Sequence, residues 1–236
     1  ENYWIKQLKL NESKRDVYTR PAFVCKKGFD YALEISVREN FNYNYIARLD
    51  SDMLLPKDYF GKLIHEFDKN ENLGIACGTR TDIINNNKIK AKIRNDEPYA
   101  AACVFSRKCF EEIGGFILTE GDDVIMNAKA KMKNWTCKVF ESLNALHLRP
   151  VNVHYRKDFG VWNEYKRMGE KDYYLNYNFI IVFLKAFKHS LKKIPPRPLY
   201  AGLSYFLGFL LSPINGKKQI DDLDVRKYYG HIYLKN

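Results

Sequence analysis

The sequence predicts an α/β fold with a largely parallel sheet, followed by a separate helical segment. Three observations predict it. Up to about residue 148, short apolar runs of strand length alternate with stretches of helical period. Paired carboxylates follow two of the predicted connections, at Asp50/Asp52 and at Asp122/Asp123. After Pro150 the chain turns basic and aromatic, with long apolar runs and a Pro-rich break. Residues 1–150 therefore read as an α/β core and residues 151–236 as a C-terminal helical region.

The 236 residues, 46% hydrophobic and 28% charged, suit a globular chain with a sizeable core and exclude a disordered one. The net charge is +11, unevenly spread. Residues 151–236 hold 15 Lys and Arg against 7 Asp and Glu, a net +8. A basic excess of this kind fits an anionic membrane surface, a phosphorylated substrate or nucleic acid. No helix-turn-helix or RNP-like segment is visible, so nucleic acid is not expected, although a basic nucleic-acid-binding protein stays the alternative from another class. The five cysteines are odd in number and lack C-x-x-C spacing. They read as buried free thiols in a reducing compartment, with no zinc site, which suits the cytoplasmic side of a membrane. The chain starts at Glu1 without an apolar leader, and its natural N-terminus is expected to lie elsewhere.

Residues 1–20 read as an irregular polar segment. Arg20–Gly28 reads as a short strand closed by a basic turn. Phe29–Glu39 carries apolar Phe29, Ala32, Leu33, Ile35 and Val37 with Glu34 and Arg38 at i, i+4 and reads as a helix, and Asn40–Asn44 is a turn. Tyr45–Leu49 is an apolar strand that delivers Asp50. Pro56 suits a first helical turn, and Phe60, Leu63, Ile64 and Phe67 continue a helix over residues 57–69. Ile75–Thr79 is a short buried strand, residues 82–97 an exposed excursion, and Tyr99–Phe105 another buried strand. A helix is expected over Val124–Trp135, then strands at Thr136–Phe140 and Ala145–Leu148. Residues 159–175 read as a basic aromatic helix. Tyr177–Phe187 and Leu199–Ile214 are apolar runs too short to span a bilayer and flanked by lysines. Two readings of them stay open: helices in a membrane interface, giving peripheral contact through residues 177–218, or an ordinary two-helix packing layer. A short helix around Val225–Ile232 closes the chain.

The chemistry starts at Asp50-Ser51-Asp52. On an extended strand, positions i and i+2 share a side, so the two carboxylates would share one volume at a strand end. Two such anions call for a cation between them, and oxygen ligands suit Mg²⁺ or Mn²⁺ carrying a phosphate. The plainer reading is a solvated turn. Gly114 and Gly115 permit a left-handed turn or a close approach to ligand. Asp122 and Asp123 stand at a helix start, where Asp122 is expected to cap and Asp123 is a candidate general base. His147 ends an apolar strand and is read as a metal or phosphate ligand, or as a structural histidine. Arg149, Arg48 and Lys27 are candidate phosphate or nucleotide contacts. Trp162 and Tyr165 are candidates for an acceptor path, or plain packing.

In order, Asp50-Ser-Asp52, Ile113-Gly-Gly-Phe116 and Glu120-Gly-Asp-Asp123 resemble the GT-A glycosyltransferases of family 2. The tail after Leu146-His-Leu-Arg-Pro150 is similar to a prokaryotic branch of that family, and the resemblance covers roughly residues 20–236. It implies a GT-A, Rossmann-like sheet and an inverting transfer from a nucleotide-sugar donor to a glycan, polysaccharide or lipid-linked acceptor. It implies a divalent cation, Mn²⁺ or Mg²⁺, on Asp52, with Asp50 on ribose or metal and His147 near the metal or diphosphate. Asp123 would be the base, with Asp122 its fallback, and Gly114 and Gly115 would lie on the acceptor side with Trp162. Lys129 stands where many members have arginine. The family's opening strands, with a Pro-x-Tyr/Phe-Asn-like segment and a later Asp-Asp, have no counterpart in residues 1–25, so the core is expected to be N-terminally incomplete. A catalytically incomplete relative acting as a membrane-bound partner is the second alternative.

Overall fold

The computed structural model describes residues 5–10, 20–84, 87–119, 121–148, 160–191 and 198–231. The chain divides into two compact units, Glu1–Arg149 and Pro150–Asn236.

The first unit opens with α1 (Arg20–Arg38). Arg20–Gly28, expected as a strand, is the first half of this helix. Pro21 suits a first helical turn, and Ala22, Cys25, Phe29, Leu33 and Ser36 fall on one helical face. Gly28 sits on the open side, where a Cβ would meet nothing, so it does not break the helix. Next come β1 (Tyr45–Leu49), the two-residue β2 (Met53–Leu54) and α2 (Tyr59–Lys69). Buried Tyr59, Leu63 and Phe67 form the inner stripe of α2. β3 runs from Leu73 to Ile84 and folds back as β4 (Asn87–Lys90). The buried strand expected at Ile75–Thr79 is thus longer, and part of the expected excursion is a hairpin. β5 (Ala102–Ser106) leads directly into α3 (Arg107–Glu112), whose cap is Ser106. α4 (Asp122–Met132) and β6 (Thr136–His147) complete the unit.

The sheet order is β1-β5-β3-β6-β2, with β4 beside β3. It is mixed, and this corrects the expected largely parallel sheet. β3 and β6 are parallel, whereas β1/β5, β3/β5, β3/β4 and β2/β6 are antiparallel. The cause is the connection before β5. A parallel return needs a crossover, usually a helix. No helix lies in the described residues between β3 and β5, and β5 comes back reversed. Because β5 is antiparallel to both β1 and β3, the strands β1, β3 and β6 all run one way. Their carboxyl ends therefore lie along one edge of the sheet.

Two close fits hold the sheet. Tyr59, fully buried, donates its hydroxyl to Ala102 O at 2.9 Å and accepts from Gly78 N at 2.7 Å, joining β5 to β3. On β6, the pairing with β3 jumps from Gly78↔Phe140 to Thr79↔Asn144, so residues 141–143 bulge. The two strands expected at Thr136–Phe140 and Ala145–Leu148 are the halves of this one bulged strand. A Cβ on Gly78 would stand 2.4 Å from Leu143 O, so only glycine lets the bulge close onto β3.

The second unit contains α5 (Gly160–Tyr174), α6 (Phe179–Leu191), α7 (Pro198–Ile214) and α8 (Leu223–His231). Its core holds Tyr165, Val182, Ala186, Ala201 and Tyr205. Among the described residues no helix is long and apolar enough to cross a membrane.

Candidate functional site

The carboxyl ends of β1, β3 and β6 carry Asp50, Asp82 and His147 respectively. In open α/β sheets that edge is where ligands bind. After β1 the chain makes a tight turn: Asp50 N donates to Ala101 O at 2.8 Å, and Met53 N donates to Asp50 O at 3.2 Å. The turn feeds β2 into antiparallel pairing with the end of β6, where Met53 faces His147. Leu148 N donates to Asp52 O at 2.9 Å, tying the turn to β6.

The turn separates the two carboxylates into different polar chains, where an extended strand would have put them together. Asp50 belongs to the first chain. Arg48 reaches it with Nε at 2.9 Å from Oδ1 and with the second terminal nitrogen at 3.4 Å from Oδ2. The other terminal nitrogen of Arg48 donates to Asp122 Oδ2 at 2.8 Å. Arg48 thus bridges the end of β1 to the start of α4. Both Arg48 and Asp122 are largely buried. Burial works against the charge on Arg48, but its hydrogen bonds to Asp50 and the surrounding anions hold it firmly cationic. Burial raises the Asp122 carboxyl above the ordinary carboxylate range, with Arg48 pulling it back. The N-cap of α4 is Gly121, at φ 76°, and no side chain caps the helix. The expected capping role of Asp122 is therefore replaced by the ion pair with Arg48.

Asp52 belongs to the second chain. Its Oδ2 lies 3.6 Å from His147 Nε2, and His147 Nδ1 lies 3.0 Å from Asp82 Oδ1. Arg80 completes the chain as an ion pair, its Nε 2.9 Å from Asp82 Oδ1 but poorly aligned for a hydrogen bond. The Arg80 guanidinium also stacks 5.2 Å from the Tyr99 ring centre. Of its two carboxylate contacts, His147 makes the shorter with Asp82 through Nδ1 and the longer with Asp52 through Nε2. Asp82 and Arg80 were not among the residues singled out from sequence, because β3 was expected to stop at Thr79. A weaker signal was present: Arg80 and Asp82, two residues apart, stand between the apolar run Ile75–Gly78 and the apolar pair Ile83-Ile84.

Asp123 accepts from Val124 N at 2.8 Å and lines a small cavity with Arg48, Tyr99, Asn127 and Phe116. The cavity measures about 10 Å³, room for one water and not for a sugar. Gly114 and Gly115, at φ 86° and 74°, end α3, with Gly115 N donating to Phe110 O at 2.8 Å. The turn delivers Phe116 onto Phe29, their stacked rings 4.9 Å apart. Lys27 is exposed on α1, its ammonium 5.6 Å from the Phe23 ring centre. Cys25, on the same helix, is the side chain close to the first chain: burial raises its thiol pKa, with Arg48 opposing and Asp50 and Asp122 adding to the rise. Trp162 and Tyr165 lie on α5 of the second unit, where Trp162 meets the Tyr200 ring edge-on at 5.3 Å and Tyr165 is buried in that unit's core. Arg149 and Glu120 lie outside the described residues.

The donor set suits a cation brought in with a phosphate. Among the described residues, no group of three or more His, Cys, Asp and Glu is placed to hold a metal alone. Asp52 and His147 supply one carboxylate oxygen and one imidazole nitrogen facing each other, with Asp82 behind the histidine. Mg²⁺ characteristically takes one or two protein ligands and completes its shell with substrate phosphates and water. Asp50, engaged by Arg48, stands in the other chain.

No family model matches the chain, and no curated protein matches it by sequence.

Proposed function

We propose that the chain is a metal-dependent, inverting glycosyltransferase of the GT-A type, acting on a nucleotide-sugar donor. The observation that carries the reading is the gathering of two polar chains at one sheet edge: Asp50–Arg48–Asp122 and Asp52–His147–Asp82. The ordered Asp-Ser-Asp, Gly-Gly-Phe and Asp-Asp elements of the sequence support it independently. The mixed sheet is compatible with it, because the strands bearing the site run in one direction.

Asp52 and His147 would hold Mg²⁺ or Mn²⁺, with Asp82 orienting the histidine by accepting from Nδ1–H. A cation bound there would supply the positive charge that a departing diphosphate needs. Arg48 keeps Asp50 and the start of α4 in fixed relation, so Asp50 presents its remaining lone pairs to the donor's ribose. Asp122 is the anchor of that bridge. Asp123 is the base that takes the acceptor hydroxyl's proton, and the inverted anomeric centre follows from direct displacement on the opposite face. The acceptor is a glycan or a lipid-linked sugar.

Transfer or hydrolysis of at least one among UDP-, GDP- and TDP-sugars should depend on Mn²⁺ or Mg²⁺ and vanish in Asp52→Ala and Asp123→Asn. Full activity in Asp52→Ala would overturn the site assignment.

A further inference from the structure

Within the second unit, α7 turns mainly small side chains inward and large apolar ones outward. The face of α7 turned inward carries Ala201, Gly202, Ser204, Gly208 and Ser212, with Tyr205 the one large member. Ser204 and Ser212 satisfy their hydroxyls on carbonyls of their own helix, Ala201 O and Gly208 O. Glycines set the helix crossings. A Cβ on Gly208 would stand 2.0 Å from Lys166 O, and one on Gly169 would stand 1.9 Å from Tyr205 O. Small inward residues with close backbone approach are how helices pack where water does not drive them together.

The outward faces hold the large apolar side chains. On α6, Ile180, Phe183, Leu184, Phe187 and Leu191 are exposed, Ile180 at 65% and Phe187 at 60%. On α7, Leu199, Leu203, Leu210 and Ile214 are exposed, Leu199 at 74% and Ile214 at 78%. Phe206 of α7 meets the rings of Phe179 and Phe183 at 5.7 and 6.0 Å, so the two helices present one continuous apolar face. Residues 173–220 contain seven Lys and Arg and no Asp or Glu; of these, Lys185 and Lys217 pair with Asp172 and Glu170 of α5, while Lys188 and Lys218 are exposed. The net-cationic stretch that carries this apolar face complements an anionic bilayer. It opposes a second copy of itself, which would bring two cationic stretches together. With 13 and 17 residues, α6 and α7 are about 20 and 26 Å long, short of the roughly 30 Å hydrocarbon core.

We infer that the joint outward face of α6 and α7 docks on an anionic lipid bilayer, both helices lying in the plane of its interface. This rests on the second unit alone and stands or falls apart from the glycosyltransferase reading.

Flotation of the full chain with vesicles tests it. The protein should float with phosphatidylcholine–phosphatidylglycerol vesicles and much less with phosphatidylcholine alone. The double substitution Phe183→Ser/Phe187→Ser, at exposed positions, should keep the far-UV circular dichroism and cut vesicle binding at least about tenfold. Lys188→Glu/Lys218→Glu should weaken binding to the mixed vesicles selectively. Absence of flotation with either composition, or unchanged flotation of the phenylalanine variant, overturns the inference. A stable dimer that the phenylalanine variant dissociates, with no vesicle binding, overturns it in favour of self-association. Phe179→Trp and Leu191→Trp, read against brominated lipids, should be quenched equally and at shallow depth, and deep quenching at one end alone overturns the in-plane placement.

Discussion

Leu63 and Leu184 each lie on a helix with an apolar stripe, yet they have opposite fates. Leu63 on α2 is fully buried against the sheet, and Leu184 on α6 is 55% exposed. The contrast holds for the units that contain them. The first encloses large apolar side chains such as Tyr59, Phe110 and Ile75, and gathers charges at one sheet edge. The second encloses mainly small and hydroxyl-bearing residues on α7 and turns leucine and phenylalanine outward. Hydrophobic period identifies a helical stripe, but it does not say whether that stripe is buried in the fold. The packed face decides: glycine crossings in one unit, interlocked large side chains in the other.

Truncating the two leucines sharpens that contrast most. Leu63→Ala should destabilise the protein by about 2–5 kcal/mol, through lost burial and the cavity it leaves. Leu184→Ala should stay within about 0.5 kcal/mol, as surface substitutions do. Urea unfolding followed by tryptophan fluorescence measures both, and equal losses would erase the distinction between the units.

Removing Arg48 is the next largest test. Arg48→Ala leaves Asp122 buried without its cation, at a cost of about 3 kcal/mol near neutral pH. The cost has a direction in pH. Burial already raises Asp122 above its unfolded value, and loss of Arg48 removes the opposing pull. The folded variant then binds a proton on Asp122 where the unfolded chain does not, so its stability rises as pH falls through that range. Destabilisation by Arg48→Ala should therefore shrink on acidification from neutral pH. A deficit that stays constant or grows would show that Asp122 is not the group left uncompensated.

A smaller effect concerns the hydroxyl of Tyr59. Tyr59→Phe leaves the Gly78 N–H and the Ala102 carbonyl without their buried partner and should cost about 1–3 kcal/mol. The smallest is chemical. Cys77 and Cys137 are buried, with pKa values pushed up to about 12, and Cys103 and Cys109 are raised by burial as well. Cys25 alone of the five free thiols is only partly buried. Iodoacetamide on the native protein should modify Cys25 slowly and the other four only after unfolding. Rapid native labelling of Cys103 would contradict the closed core of the first unit.

Much of the fold was legible where one physical signal dominated. Tyr45–Leu49 reads as a strand because an apolar run ends sharply in carboxylates. The helix over Phe60 to Phe67 reads from its period. Arg20–Gly28 misled because Phe23-Val24-Cys25 followed by Gly28 imitates a strand and its turn. The periodicity that continues through Phe29 and Leu33 overrides them. The sheet's direction was not legible, because strand reversal at β5 depends on a connection without a helix and not on the strands themselves. The site was legible in part for the same reason. Asp50, Asp52 and His147 stand at apolar strand ends and announce themselves. Their sorting into two chains depends on the Asp50–Met53 turn, and Asp82 depends on a strand longer than its apolar run. Arg48 and Asp122, 74 residues apart, are paired by tertiary structure alone.

The central claim is that the edge bearing Asp52, His147 and Asp82 holds a divalent cation together with a diphosphate. Calorimetric titration of the full chain with UDP and with GDP, with and without Mn²⁺, tests it directly. Binding of at least one nucleotide should require Mn²⁺. It should disappear in Asp52→Asn and weaken about tenfold or more in Asp82→Asn, which meets the cation's ligands only through the histidine's far nitrogen. Binding that is independent of Mn²⁺, or that Asp52→Asn leaves unchanged, would contradict the account.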